Sequence, residues 1–284
     1  MKRILYFIIA VALATFSVSA CDMFQLDNFD GPNAQISGRL LDAETGDLIG
    51  IEAAANVGFD WSTWSSYTTV EAGSLLVMEQ GWVEDEAKNP GQDWLVRFDG
   101  QYRNNLVFAG DYKFTCKKLP CYEPADSSFT VKEGANKMDL ELLPYCRIID
   151  PVFSTKKDAF GNLSKLVVKF KVELTDPTKA NKVANVAFCA NTQMFVGANY
   201  QNLAKGDSGA KKKNVTAGST VTLEIDMKNT SNADLFRYNR ERYLRVGAMA
   251  NGNGYNSNNL YNFSPIYRIS ADFEDIEEVT WDEI

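Results

Sequence analysis

A strict alternation of apolar and polar residues is the feature that most limits what this sequence can fold into. From Leu166 to Leu174 an apolar side chain stands at every second position, and lysine or glutamate occupies most positions between them. Successive side chains of a β-strand point to opposite faces of a sheet, so this spacing predicts a strand with one buried face. Ala34 to Asp42 has the same period, and the sequence Ala43-Glu-Thr-Gly-Asp47 that follows is typical of a turn.

Similar short segments between turn sequences recur along the chain, and no long segment has the period of a helix. The 284 residues, 45% of them hydrophobic, are enough for one large or two medium cores. Leu143 to Pro151 places two prolines around a short apolar run, which indicates a junction between domains. We therefore predict an all-β protein of two antiparallel β-sandwich domains in tandem, at residues 34–144 and 145–284, the second ending in an acidic tail.

The first twenty residues have the pattern of a secretory signal peptide. Lys2 and Arg3 precede a largely apolar run from Ile4 to Phe16, and Ser17 to Ala20 are mostly small. Thirteen helical residues span about 20 Å, which is too short for a bilayer core of about 30 Å. A small residue before Cys21 is what lipoprotein signal peptidase accepts, so residues 21–33 are predicted to be a tether lipidated at Cys21. The alternative is an ordinary secretory signal followed by an unmodified thiol.

The sequence contains no histidine and carries a formal net charge of −8. Without histidine the chain lacks Ser-His and Cys-His nucleophile systems and the usual zinc ligand sets. We therefore expect no metal, no cofactor and no enzymatic activity, with a hydrolase that uses carboxylates alone as a remote alternative. The negative charge also argues against binding to nucleic acid.

Four cysteines follow the predicted tether. Cys116 and Cys121 flank Leu119-Pro120 and can bridge a turn in an oxidising compartment. The alternative is that these two, together with Cys146 and Cys189, are reduced and buried as small apolar residues.

Two segments contain the candidate ligand-binding residues. Between Asp60 and Tyr67, aromatic residues recur every third position among small hydroxyl residues, an arrangement that suits the flat C–H faces of sugars. The alternative is that these rings pack on the core. The asparagine-rich stretch from Asn251 to Asn262 can donate and accept hydrogen bonds, or can simply form a turn with positive φ angles. The candidates are Trp61, Trp64, Tyr67, Asn253, Tyr255, Asn256, Asn258 and Tyr261.

Several of these segments resemble known modules. Ile36 to Ile49, with Asp99 to Arg103 and Phe108 to Lys113, resembles the transthyretin-like carboxypeptidase-regulatory module. Tyr243 to Asn251, with Phe263 to Ile269, resembles the last hairpin of a fibronectin type III domain. The sequence departs from the first pattern in a long aromatic insertion from Ile51 to Gly73 and in Cys146.

A narrower resemblance concerns function. Asp27 to Asn33, Glu79 to Trp82 and Pro90 to Tyr112 resemble a Bacteroidetes lipoprotein family of unknown function whose members are encoded beside SusC/SusD-type outer-membrane pairs. This resemblance implies a lipid-anchored, surface-exposed, non-catalytic protein of the outer membrane that assists polysaccharide capture, with glycans and SusC/SusD-type proteins as partners. The alternative is a structural or adaptor lipoprotein that contacts other proteins.

Overall fold

The computed structural model describes residues 31–52, 57–60, 65–68, 73–82, 85, 88–199, 201–257 and 260–280; for residues 57–60 and 65–68 it describes the backbone alone. Strands and turns account for nearly all of this part of the chain, so the predicted all-β fold is confirmed. Its helical content is one turn of 3-10 helix, Thr230–Asn232, followed by a short α-helix, α1 (Ala233–Phe236). Neither helix is long and apolar enough to cross a membrane.

The first half of the chain forms two four-stranded sheets around one core, with a separate hairpin of β2 and β3. One sheet has the order β10-β1-β6 with β9 also paired to β1, and the other has the order β5-β4-β7-β8. The strands are β1 (Ala34–Asp42), β2 (Val57–Asp60), β3 (Ser65–Thr68), β4 (Ser74–Glu79), β5 (Gln92–Leu95), β6 (Gln101–Val107), β7 (Gly110–Thr115), β8 (Ser128–Val131), β9 (Gly134–Lys137) and β10 (Leu140–Leu142). Strand β1 pairs in parallel with both β9 and β10, so this sheet is mixed, a detail that the alternating pattern does not reveal.

Strand β1 forms because its apolar residues alternate with polar ones. A close contact between two backbones explains why the strand also contains a glycine. Ala34, Ile36 and Leu40 point into the core. A Cβ atom at Gly38 would lie 1.7 Å from the carbonyl oxygen of Met138, so only glycine lets these two backbones approach. The same carbonyl accepts a hydrogen bond from the Tyr102 hydroxyl at 2.6 Å, which closes the sheet over the core.

The second half of the chain forms a three-stranded sheet, β11-β12-β15, and a six-stranded sheet, β14-β13-β16-β18-β19 with β17 paired to β16. The alternation predicted for β12 is confirmed, because Leu166, Val168, Phe170 and Val172 are buried. The strands are β11 (Cys146–Lys157), β12 (Leu163–Leu174), β13 (Lys182–Asn191), β14 (Lys211–Val215), β15 (Val221–Asp226), β16 (Arg242–Asn251), β17 (Asn262–Phe263), β18 (Tyr267–Ile269) and β19 (Ile276–Glu278). We call the two halves the first and second sandwich.

The two ends of β1 face different surroundings. Asn33, where the chain enters the first sandwich, lies beside the β6–β7 and β8–β9 turns. Asp42, at the other end, contacts Arg147 of the second sandwich. The strand has nine residues and is therefore about 27 Å long. The second sandwich thus docks at the end of the first that is opposite to the entry point of the chain.

Candidate functional site

Arg245 joins the two sandwiches from the middle of β16. Its guanidinium is fully buried and donates hydrogen bonds to the carbonyl oxygens of Ser264 at 2.9 Å, Ile51 at 2.9 Å and Phe98 at 2.7 Å. The last two belong to the first sandwich. The ring of Phe263 lies 4.3 Å from the guanidinium carbon and shields it from water.

The surroundings of Arg245 explain why residue 50 is a glycine and why the pKa of Arg245 is lowered. A Cβ atom at Gly50 would lie 2.3 Å from Nη2 of Arg245, so the guanidinium needs a glycine there. Burial lowers the pKa of Arg245, and the nearby carboxylates Glu52 and Asp99 partly oppose this effect. Guanidinium groups nevertheless stay protonated in proteins, so Arg245 is a buried cation held mainly by backbone carbonyls.

Arg147 makes a second contact between the sandwiches. Its Nε and Nη2 atoms donate to the two carboxylate oxygens of Asp42 at 2.5 and 2.8 Å, and Nη2 also donates to Glu44 at 2.6 Å. Asp42 is buried, whereas Glu44 is exposed. A bidentate pair between a guanidinium and a buried carboxylate fixes both distance and orientation, so the two sandwiches meet in one arrangement.

Polar contacts also close the side of the interface around Tyr122. Asn262 accepts a hydrogen bond from the backbone N–H of Cys146 at 3.2 Å and donates to the carbonyl of Pro120 at 3.0 Å. Tyr122 of the first sandwich accepts from the backbone N–H of Ala180 at 3.1 Å and packs edge-on against Tyr145, with ring centroids 4.8 Å apart. The junction is therefore rigid and not a loose linker.

A cleft of about 640 Å³ lies between the sandwiches. Small-molecule sites in proteins have about 300–1,000 Å³ and favour domain interfaces. The turn after β1, the start of β11 and the segments around β17 and β19 form its walls. Its apolar lining includes Leu48, Ile149, Pro265 and Val279.

The polar groups of the cleft fall into two sets. Asp42 and Asp99 are held by Arg147 and Arg97 in ion pairs of 2.5 Å. By contrast, no described residue bonds the Asp47 carboxylate, the Nη1 group of Arg147 or the Thr280 hydroxyl, which all line the cleft. The cleft therefore combines an apolar lining with a carboxylate acceptor, a cationic donor and a hydroxyl that remain open to a ligand.

The Asp42–Arg147 pair predicts a defined pH dependence. Burial raises the pKa of Asp42, but hydrogen bonds from Arg147 and from the backbone N–H of Glu44 together lower it by more, so it lies below its ordinary value of 3.8. The stabilisation is therefore complete above about pH 4 and is lost as pH falls through the folded-state pKa. We expect Asp42→Asn to cost about 1–3 kcal/mol at pH 7 and much less near pH 2. Urea denaturation at both pH values measures this, and an unchanged cost at low pH would contradict it.

The aromatic candidates fall partly outside the described residues. Trp61 and Trp64 lie outside them, as does Cys21, and Tyr67 is described only as backbone in β3. The segment that carries these aromatic residues connects to the first sandwich through Ile51 and Gly73. The carbonyl of Ile51 accepts a hydrogen bond from Arg245, and the N–H of Gly73 donates to the carbonyl of Lys118 near the interface. Both flanking residues therefore lie at the interface end of the first sandwich.

The asparagine-rich loop has mainly structural contacts where it is described. Asn256 is buried with a φ of 54°, donates to the carbonyls of Ala250 and Leu260, and accepts from the N–H of Leu260. Asn253 has a φ of 49° and donates to the carbonyl of Thr178. These bonds stabilise the turn and leave Asn256 little capacity for a ligand.

The other candidates in this loop differ in how exposed their side chains are. Tyr255 packs edge-on against Tyr122 at 5.4 Å but keeps an exposed edge, and Tyr261 is half-buried beside Phe263. Asn258 lies outside the described residues. Tyr255 is therefore the described candidate in this loop that is best placed to meet a ligand.

The four described cysteines are buried free thiols. The predicted bridge between Cys116 and Cys121 is not formed, and the alternative of buried apolar residues describes the structure. Burial raises the pKa of each of the four thiols, which suppresses their reactivity. Among the described residues no group of three or more acidic or cysteine side chains is placed to hold a metal ion.

The residues that shape the cleft were not among the predicted site residues. Leu48, Arg147 and Arg245 come from three separate parts of the chain. One signal was available in the sequence: Arg245 interrupts the largely apolar run from Tyr243 to Ala250, where a charge needs a specific partner.

Fold and cleft together define a class: all-β proteins of two docked sandwiches with a ligand-sized cleft between them. No protein-family model and no curated protein matches the sequence. Solved structures do match it. A proposed carbohydrate binding protein from Bacteroides uniformis is 26% identical, with a TM-score of 0.65 over 84% of this chain and all of that one.

Two DUF3823 family proteins have the same fold. The one from Parabacteroides merdae is 21% identical, with a TM-score of 0.60, and covers 84% of this chain and 99% of its own. The one from Bacteroides ovatus is 18% identical, with a TM-score of 0.57, and covers 84% of this chain and all of its own. These neighbours agree with the predicted Bacteroidetes family of unknown function. The SusC/SusD association and the likeness to transthyretin and fibronectin modules stay predictions.

Proposed function

We propose that this chain is a non-catalytic lipoprotein, anchored through Cys21 in the outer membrane, that binds carbohydrate in the interdomain cleft. In this role it assists a SusC/SusD-type system in capturing polysaccharide at the cell surface. The observation that carries the proposal is the composition of the cleft. An apolar lining beside unpaired donors and acceptors matches a pyranose, which presents C–H faces and hydroxyl groups together.

The comparison with known structures supports the same ligand class. The neighbour from Bacteroides uniformis is described as carbohydrate binding, and the similarity extends over its whole length. The similarity covers 84% of this chain, which is more than either sandwich alone provides, so it includes residues of both. The aromatic residues Trp61 and Trp64, which lie outside the described residues, are a second candidate for contact with a sugar.

The position of the cleft suits a protein that is held at a membrane. The tether joins the first sandwich at Asn33, whereas the cleft begins beyond Asp42, about 27 Å along β1. When the entry end of the first sandwich faces the membrane, the cleft lies on the side away from the lipid. That arrangement allows a long polysaccharide to reach the binding site.

Two of the carboxylates that line the cleft are held in ion pairs, which suits binding better than hydrolysis. A glycosidase needs one carboxyl that is protonated near neutral pH and a second that is ionised. Asp42 has a lowered pKa and is paired with Arg147, so it cannot serve as the proton donor. Asp99 is likewise bound by the guanidinium of Arg97.

Affinity gel electrophoresis of the soluble chain from Asp22 on a panel of polysaccharides tests the proposal. We expect retardation by at least one neutral polysaccharide and no release of reducing ends. Leu48→Arg places a long charged side chain on the apolar lining and should weaken binding about tenfold or more, a loss of at least about 1.4 kcal/mol. Leu95→Arg is the matched control, since Leu95 is similarly exposed but does not line the cleft.

Other outcomes would redirect or contradict the proposal. Retardation that survives Leu48→Arg but is lost in Trp61→Ala with Trp64→Ala would move the site to the aromatic segment. No binding to any polysaccharide, together with capture of a transporter from native membranes, would favour the adaptor function. Incorporation of labelled palmitate that depends on Cys21 tests the anchor independently.

The adaptor function has one observation in its favour. Phe160, in the turn between β11 and β12, is 89% exposed and therefore offers an apolar contact to a partner protein. Phe160→Ser should abolish capture of such a partner and leave polysaccharide binding unchanged.

A further inference from the structure

Three large apolar side chains protrude from the end of the first sandwich where the chain enters. Trp82 is 62% exposed, Leu106 is 74% exposed and Phe108 is 42% exposed. We call these three residues the apolar tip. Single exposed apolar residues are common on protein surfaces, but three on adjacent turns indicate a surface that is covered by something else.

The hydrogen bonds of the turns place these residues at the same end. Trp82 follows directly on Gln80 and Gly81, and the N–H of Gln80 donates to the carbonyl of Asp111 at 2.8 Å. Phe108 is three residues before Asp111 in the β6–β7 turn, and its carbonyl accepts from the Tyr112 hydroxyl at 2.9 Å. Leu106 is the penultimate residue of β6.

The predicted tether enters the fold at this end. The side chain of Asn33 accepts a hydrogen bond from the N–H of Ala109 at 2.8 Å, directly beside Phe108. The next residue, Ala34, pairs with Val107. Twelve Cα–Cα steps lead from Cys21 to Asn33, and a chain of that length spans at most about 43 Å. A lipid on Cys21 would therefore hold the entry end, and with it the apolar tip, within reach of the membrane.

We propose that the apolar tip inserts into the interfacial region of the phospholipid leaflet that holds the anchor, so that the first sandwich stands on the membrane. The inference rests on the anchoring part of the proposed function and is independent of carbohydrate binding. Tryptophan and phenylalanine are favoured at this depth, because their rings bury apolar area while the indole N–H can still reach water and headgroups. A single lipid anchor leaves the orientation of a protein free, whereas a second apolar contact fixes it.

This contact would have a direct consequence for the cleft. The apolar tip and the cleft lie at opposite ends of β1. Insertion of the tip would therefore point the cleft away from the bilayer. The protein would then spend less time in orientations in which the membrane blocks a long polysaccharide from the cleft.

Quenching of tryptophan fluorescence by brominated lipid tests the insertion. The chain from Cys21 onward keeps every residue that the structure describes, and its thiol at Cys21 can be coupled to maleimide lipid in phosphatidylcholine vesicles. The four described cysteines are buried, so coupling should occur at Cys21. We expect weaker emission in vesicles whose acyl chains carry bromine near the interface than in unbrominated vesicles. Trp82→Phe keeps an apolar ring but removes the indole, and should abolish this loss.

Two further variants separate insertion from mere proximity. Leu106→Ser with Phe108→Ser should reduce the quenching, whereas Leu95→Ser, at an exposed leucine outside the tip, should leave it unchanged. Equal emission in both vesicle types would overturn the proposal, as would quenching that persists in Trp82→Phe. Capture of an outer-membrane protein that depends on the tip, without quenching, would also overturn it. Chemical coupling makes the result independent of native lipidation, and polysaccharide binding is measured without vesicles.

Discussion

Replacing Arg245 with methionine is expected to destabilise the protein by about 3–5 kcal/mol, a large fraction of the roughly 5–15 kcal/mol that keeps a typical domain folded. Methionine fills a similar apolar volume but cannot donate. The buried carbonyls of Ser264 and Ile51 would then lose the guanidinium donor, whereas the carbonyl of Phe98 would keep only the N–H of Ile51. Each buried acceptor left without a partner costs about 1–3 kcal/mol.

The same substitution should also weaken the coupling between the sandwiches. Two of the three carbonyls belong to the first sandwich, so their loss removes contacts that exist only when the sandwiches are docked. Urea and thermal unfolding measure the stability, and a single transition in the wild type should broaden or split in the variant. Arg268→Met is the matched control, because Arg268 is exposed and pairs only with surface glutamates. A cost for Arg245→Met no greater than for this control would contradict the assigned role.

Replacing Arg147 with methionine is expected to have an effect of similar size, about 3–5 kcal/mol. The loss arises less from the missing attraction than from Asp42, which would remain buried and ionised without its bidentate partner. The surface pair of Arg147 with Glu44 contributes little, since Glu44 is exposed.

A double substitution provides the critical check for Arg147. Asp42→Asn with Arg147→Met removes both charges and should recover part of the stability lost in Arg147→Met alone. Chemical denaturation at pH 7 measures all three variants. If the two single changes simply add, the pair does not couple the sandwiches in the way that the structure indicates.

The sequence predicts those parts of the fold that depend on local period. The alternation in β12 correctly identifies its buried face, and the turn after β1 falls where Gly46 supplies a positive φ. The asparagine-rich stretch also indicates a turn, because asparagine tolerates the positive φ values that Asn253 and Asn256 adopt. In each case the information lies within a few neighbouring residues.

The interface and the cleft depend on contacts that no local pattern contains. Arg245 binds carbonyls that are 194 and 147 residues away in the chain. Strand β16 is buried on both faces over most of its length, because the segments around Val196 and Phe263, together with Phe98 of the first sandwich, pack on its second face. A period-two pattern predicts the strand but cannot predict this second cover. The sequence also left the state of Cys116 and Cys121 open, and both are buried free thiols in the structure.

The proposed function depends above all on carbohydrate binding in the cleft between the two sandwiches. A crystal structure of the soluble chain with an oligosaccharide from the retarding polysaccharide tests it most directly. If carbohydrate binds in the cleft, density for the sugar will lie against Leu48 and Val279, with hydroxyl groups bonded to Asp47, Thr280 or the open side of Arg147. An ordered sugar bound only outside the cleft, while the cleft holds nothing but solvent, would contradict it.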